Sequence, residues 1–240
     1  HQRPPPTAQL PKANSGRASH MFTQYDPEIM KQLEEDEDYI DCMADRVSNY
    51  LVQISTTITY HYHVEIMNYY FSAITEFERL GDHALNIAEI AAELNNKGSS
   101  FSKEALSELS VLWELLDTIL NHTSEAFRKQ NLAEARQIEP LEQVVDDMVN
   151  VLKSNHLERL RNGTCGVFNG SEFFNLLSEG ERISDVCSNV GVATVARAIP
   201  EIHHQVHDYI SKLHSGGDEE FNQVYQKTHD EYFQKLQGRV

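Results

Sequence analysis

The chain reads as all-α, as two tandem three-helix bundles related by an internal repeat of about 105 residues. Three observations carry this reading. Of the seven prolines, four fall in the first eleven residues and one is Pro27, so only Pro140 and Pro200 interrupt the rest. Proline breaks helix interiors, and a stretch this poor in it is built from long helices. Apolar residues recur at helical period from Pro27 onward. Finally, Glu37-x-x-x-Asp41 returns as Glu142-x-x-x-Asp146 at an offset of 105, and Glu78-Arg79-Leu80-Gly81-Asp82 returns as Glu181-Arg182-Ile183-Ser184-Asp185 at an offset of 103. Repetition on that scale marks a duplicated supersecondary unit.

The elements follow in order. Residues 1–20, with Pro4, Pro5 and Pro6 and a Ser/Gly/Ala stretch, read as a disordered tail or a cloning remnant that ends at His20-Met21. The first helix runs from Pro27 to about Thr57 and the second from about His61 to Asn95, where Asn95-Asn96-Lys97-Gly98 stops it. Ser102 caps a third helix that ends near Lys129. Its stripe of Leu109, Leu112, Leu116, Ile119 and Leu120 faces a core. A fourth spans about Leu132 to Arg161, bent or started by Pro140 and ended by Asn162-Gly163. The fifth starts near Ser171, is punctuated at Pro200 and continues with a kink to His214. Gly216-Gly217-Asp218 precedes a sixth that ends near Gln237. The expected division is 21–130 for the first bundle and 131–240 for the second.

Composition narrows function. Acids outnumber bases 37 to 20, for a formal net charge of −17. Phosphate backbones and anionic membrane surfaces need clustered Lys and Arg, so nucleic acid and lipid headgroups are poor partners. No apolar run approaches the ~18 residues that span a bilayer, so direct membrane insertion is not expected. Cys42, Cys165 and Cys187 form no C-x-x-C pair and read as reduced thiols.

Chemistry concentrates in the repeated acids. Spacing i, i+4 puts Glu78 and Asp82 one turn apart on one helix face, with Asn86 and Glu89 continuing the stripe. Glu37, Asp41 and Asp45 form a similar stripe on the preceding helix. One such pair is an ordinary solvated face; four at matching places in two repeats are not. Two carboxylates ~6 Å apart at an effective dielectric of ~20 repel by about 3 kcal/mol. Converging stripes must splay into water, take up protons or hold a cation. Oxygen donors suit iron, manganese, magnesium, calcium or zinc. A ferritin-like di-iron enzyme needs two E-x-x-H motifs, and only Glu201-x-x-His204 is present. His203, His204 and His207 share one helix side and read as solvated, as do His61 and His63. Met43, Met67 and Met148 read as core filler.

The segment Glu78-Arg-Leu-Gly-Asp-His-Ala-Leu-Asn-Ile-Ala-Glu89 resembles the signature of PhoU-family proteins, and Glu181-Arg-Ile-Ser-Asp-Val-Cys-Ser-Asn189 resembles its second copy. The resemblance covers about residues 26–235. It implies tandem three-helix bundles that bind multinuclear iron or zinc clusters and regulate phosphate uptake and signalling. Carried onto this sequence, the ligands are Glu37, Asp41, Glu78 and Asp82 in one bundle and Glu142, Asp146, Glu181 and Asp185 in the other. Asp45, Asn86, Glu89 and Asn189 stand as additional polar ligands. Two positions depart from the pattern: Val186 occupies the place of a histidine that the first repeat keeps as His83, and Val192 replaces the acid matching Glu89.

Tyr50-Leu-Val-Gln-Ile-Ser55, His156 to Cys165, and the ending His207-Asp-Tyr-Ile with Asp218-Glu-Glu-Phe221 look like the PhoU domain that follows the membrane part of bacterial Na⁺/phosphate cotransporters. The expectation is therefore a non-enzymatic regulatory domain at the cytoplasmic face of the cell membrane. It would contact the membrane part of the same cotransporter or another phosphate transporter. A free-standing PhoU-type negative regulator, cytoplasmic, is the alternative, and a carboxylate-bridged metallohydrolase a third. A first helix shorter than that of the resembled domains leaves apolar surface on its neighbours and favours a homodimer.

Overall fold

The computed structural model describes residues 9–203 and 205–239 and, within these, all side chains but those of residues 61, 62, 200, 203 and 239. Among them the helices are α1 (Leu10–His20), α2 (Pro27–Ser55), α3 (His61–Asn96), α4 (Lys103–Lys129), α5 (Leu132–Arg161), α6 (Val167–Ala198), α7 (Pro200–His203), α8 (Val206–His214) and α9 (Glu219–Arg239). No strand occurs among the described residues.

Local chemistry sets most of these boundaries. Asp26 caps α2 by accepting from the Glu28 amide at 2.9 Å, with Pro27 in the first turn where its missing N–H costs nothing. Ser102 caps α4, accepting from the Ala105 amide at 3.2 Å. Gln130 adopts φ 51°, and Asn131 then caps α5 by accepting from the Ala133 amide at 3.0 Å, so two residues suffice to reverse the chain. Gly98 and Gly163 take φ 61° and 69° just past α3 and α5. Those left-handed turns let the Ser99 and Thr164 amides reach back to the Leu94 and Arg159 carbonyls.

Pro140 sits inside α5, and the helix runs on through it. Pro200 has the larger effect. Ile199 before it is extended, as a residue preceding proline prefers, so α6 ends at Ala198 and α7 and α8 are separate short helices. The expected kinked continuation to His214 is thus a break. α6 also begins at Val167, four residues ahead of the expected Ser171.

The principal departure lies at the start. Residues 10–20, read from composition as part of a tail, form α1, whose Leu10, Pro11, Asn14, Ser15 and Ala18 are buried. These positions recur at helical spacing, but most are small or polar and carry little hydropathy. They bury by letting α1 approach α2 and α3 closely, with Ala18 0% and Met21 2% exposed. Arg17 Nη1 pairs with Asp36 Oδ2 at 2.7 Å and ties α1 to α2. Residues 1–8 of the expected tail lie outside the described residues.

Placing α1 in the core changes the division of the bundles. α1, α2 and α3 pack together as the first; α4, α5 and α6 form the second. α4, expected to complete the first bundle, packs chiefly on α5 and α6, and α9 lies against α4 and α5. The repeated unit therefore starts one helix earlier than the expected 21–130 and 131–240. α3 against α6 joins the bundles, and one continuous apolar core runs through both.

The described α1 has 11 residues where its counterpart α4 has 27. α2 and α3, with Phe127 of α4, line a groove of about 330 Å³ that includes Ile40, Met43, Val47, Tyr70 and Ile74. In the second bundle Leu112 and Leu116 of α4 fill the matching space, reaching to 3.5 and 3.4 Å of where a Cβ on Gly180 would stand. The residue 103 positions before Gly180 is Phe77, so an aromatic ring takes up part of that volume in the first bundle.

Candidate metal centres

Each antiparallel helix pair brings its two acidic motifs together at one level. In the first bundle Glu37 and Asp41 come from α2, Glu78 and Asp82 from α3. Gly81 permits this closeness: a Cβ there would stand 3.1 Å from the Ile40 Cδ1 methyl. One carboxylate oxygen each from Glu37, Asp41 and Asp82 lie within 4.8 Å of one another. Burial, then the charges of Asp41 and Asp82, raises Glu37 above the ordinary glutamate range. Burial and the charges of Asp82 and Asp45 raise Asp41, and burial with Asp41, Asp82 and Asp45 raises Glu78. Glu78 and Asp45 thus belong to the electrostatic group without joining the tight triad. Asp41 and Asp82 are exposed, so this cluster opens to solvent.

The second bundle repeats the arrangement at greater depth. Oxygens of Glu142 and Asp146 on α5 and Asp185 on α6 converge within 4.8 Å. Burial, then the charges of Glu139 and Asp146, pushes Glu142 up to about 8. Burial and the charges of Glu181 and Asp185 push Asp146 up to about 6, and burial with Glu181 raises Asp185. Glu142 Oε2 and Asp146 Oδ1 are sealed from solvent and have no hydrogen-bond partner among the described residues. Glu181 turns aside, accepting from Lys153 Nζ at 2.8 Å. Orphaned oxygens among repelling neighbours fit a bound cation, and the all-oxygen sets suit iron, zinc or another divalent ion.

Two of the additional ligand positions have other work. Asn86 on α3 donates to Glu179 Oε2 on α6 at 3.1 Å, and Asn189 on α6 donates to Glu76 Oε1 on α3 at 3.2 Å. These amides close the seam between the bundles rather than point into a cluster. Glu89 is exposed and joins neither triad. His83 is buried at the same seam with Nδ1 2.8 Å from Glu179 Oε2, whereas Val186, its counterpart, is core. Of the histidines on the C-terminal connection, His207 is exposed, while His204 and the side chain of His203 lie outside the described residues.

Sequence reading missed Glu139 and His214. Glu139 precedes Glu142 by three residues on the same helix face, a spacing that could have been noticed. His214 reaches it from α8, 75 residues away, with Nε2 2.9 Å from Glu139 Oε1.

Among the described residues no helix is long and apolar enough to cross a membrane. A tandem helical bundle with one two-helix carboxylate cluster per repeat defines the class. The PhoU domain matches residues 12–91 and again 109–194, well over half of the chain, and the protein belongs to the PhoU family. Both matched segments contain three helices in the order found here, α1 to α3 and α4 to α6.

Among solved structures the fold is similar to PhoU from Pseudomonas aeruginosa, with a TM-score of 0.75 and 16% identity over 80% of this chain and 91% of that one. It is also similar to the phosphate transport system regulatory protein PhoU from Streptococcus pneumoniae, with a TM-score of 0.71 and 16% identity over 81% of this chain and 90% of that one. No curated protein matches the chain.

Proposed function

We propose that this protein is a PhoU-type regulator of phosphate transport and signalling whose two carboxylate clusters bind metal. The carrying observation is the placement of Glu37, Asp41 and Asp82 and of Glu142, Asp146 and Asp185 at matching levels of two bundles. Metal would neutralise each cluster and fix the spacing of α2 with α3 and of α5 with α6. That spacing sets the surface offered to a transporter or sensor. The chain acts by docking, not by turnover. The free-standing reading is supported by solved relatives that align over about nine tenths of their own length. The cotransporter-domain reading rests on the resemblance of residues 50–55 and 156–165. Hydrophobic helices encoded in frame upstream would decide for it.

Iron or zinc is the metal the family resemblance implies, with other divalent cations equally suited to the oxygen donors, and a homodimer through the open face of the first bundle is the expected assembly. The test is metal content by mass spectrometry of protein purified without a nickel column, beside a variant with all eight motif carboxylates changed to amides. Stoichiometric metal lost in the variant supports the reading. Metal-free, fully folded wild type overturns metal binding. Restoration of regulated phosphate uptake in a strain lacking the protein tests the regulatory half, and unchanged uptake refutes it.

A further inference from the structure

We propose that the second bundle carries an additional metal position, outside the repeated motif, formed by Glu139 and Glu142 of α5 and His214 at the end of α8. The inference rests on the metal-binding reading above and extends it by a nitrogen donor. One ligand atom from each of the three residues lies within 4.8 Å of the other two. Glu139 is only 7% exposed, an unusual place for a glutamate on a helix. Its Oε1 faces His214 Nε2 at 2.9 Å, and its Oε2 accepts from Ser188 Oγ on α6, so its carboxylate is held in one orientation. Glu142 Oε2, sealed from solvent, has no partner among the described residues.

An imidazole facing two carboxylates, one orphaned, is a donor set for zinc, iron(II) or manganese. Hydrogen bonding within the cluster satisfies Glu139 and His214 but leaves Glu142 unanswered; a cation answers all three. Glu142 also belongs to the triad with Asp146 and Asp185, so it stands where one carboxylate can serve two neighbouring ions.

Among the described residues the first bundle has no equivalent. The residue 105 positions before Glu139 is Glu34, which is exposed, and the cluster there contains carboxylates alone. The two bundles therefore differ in chemistry, the second preferring softer ions. His214 lies directly before the turn that leads into α9, which packs on α4 and α5. A metal here would pin that connection to α5.

The test uses the full chain, stripped by chelator and titrated with cobalt(II), whose visible absorption separates nitrogen from all-oxygen ligation. Wild type is compared with His214→Ala, with Glu139→Gln, and with Asp41→Asn/Asp82→Asn as a first-bundle control. His214 is partly exposed, so its loss leaves folding intact, and circular dichroism checks this. Each second-bundle variant is expected to hold one metal fewer per chain and to lose the nitrogen-ligation band, which the control keeps. Unchanged stoichiometry and spectrum in both variants overturn the proposal while leaving the carboxylate clusters standing. Wild type that binds no cobalt overturns both.

Discussion

The amide of Asn86 donates to Glu179 across the seam between α3 and α6 at 3.1 Å. The repeat makes the relationship reciprocal, since Asn189 donates to Glu76 at 3.2 Å from the opposite side. Arg79 and Arg182 each pair with the glutamate three residues earlier on their own helix, Glu76 and Glu179, and complete two matching networks. The duplicated signature thus holds two bundles together as well as presenting acids.

Asn86→Ala removes a hydrogen bond to a buried charged group, Glu179, which is 8% exposed. A loss of about 1–2 kcal/mol is expected for it, somewhat less for the exposed Asn189→Ala. The two share no partner, so the double variant adds within a few tenths. Urea unfolding with unchanged m values checks this.

The metal-free protein has a distinctive pH dependence. Glu142 is raised from 4.5 to about 8 in the folded state. Between those values the folded state binds more protons than the unfolded one, so stability falls as pH rises. Below pH ~4.5 this group contributes no penalty; above pH ~8 the penalty is complete. Asp146, raised to about 6, adds to the slope at lower pH. Glu142→Gln removes most of the slope and raises stability at pH 8 by a few kcal/mol. Thermal midpoints from pH 5 to 8 in the presence of chelator measure it, and a flat profile for the wild type would contradict it.

α1 is structural. Ala18 is fully buried, so Ala18→Leu overpacks the first bundle and is expected to cost about 1–3 kcal/mol. Deleting residues 1–20 strips α1 from α2 and α3 and lowers the unfolding midpoint further. A deletion that leaves the midpoint unchanged would restore the tail reading.

Gly191→Ala tests the closeness of α5 and α6. The added Cβ would stand 3.0 Å from Ile138 Cδ1 and 3.3 Å from the Ala135 carbonyl oxygen. Alanine gains about 1 kcal/mol in helix propensity. The contact with backbone cannot relax cheaply, so a net loss of about 1–2 kcal/mol is expected. Differential scanning calorimetry of the chelated protein reads this without metal effects.

The sequence by itself determined the helices and paired the acids. Asp26-Pro27, Ser102, Asn131 and the glycines at 98 and 163 act on their own turns, so local order was readable from local residues. Offsets of 105 and 103 singled out the four acidic motifs, and the packing of α2 on α3 then sets Glu37 and Asp41 beside Asp82. Only the tertiary structure decided which helix completes each bundle. α1 is made of small and polar residues whose burial depends on close approach and leaves almost no hydropathy signal. Asn86 and Asn189 continue an acidic stripe on paper, yet the direction in which each amide points is set by a helix from the other bundle. His214 meets Glu139 only because Pro200 breaks the chain and α8 folds back. Contacts at that separation are fixed by packing of the whole molecule, and no local pattern encodes them.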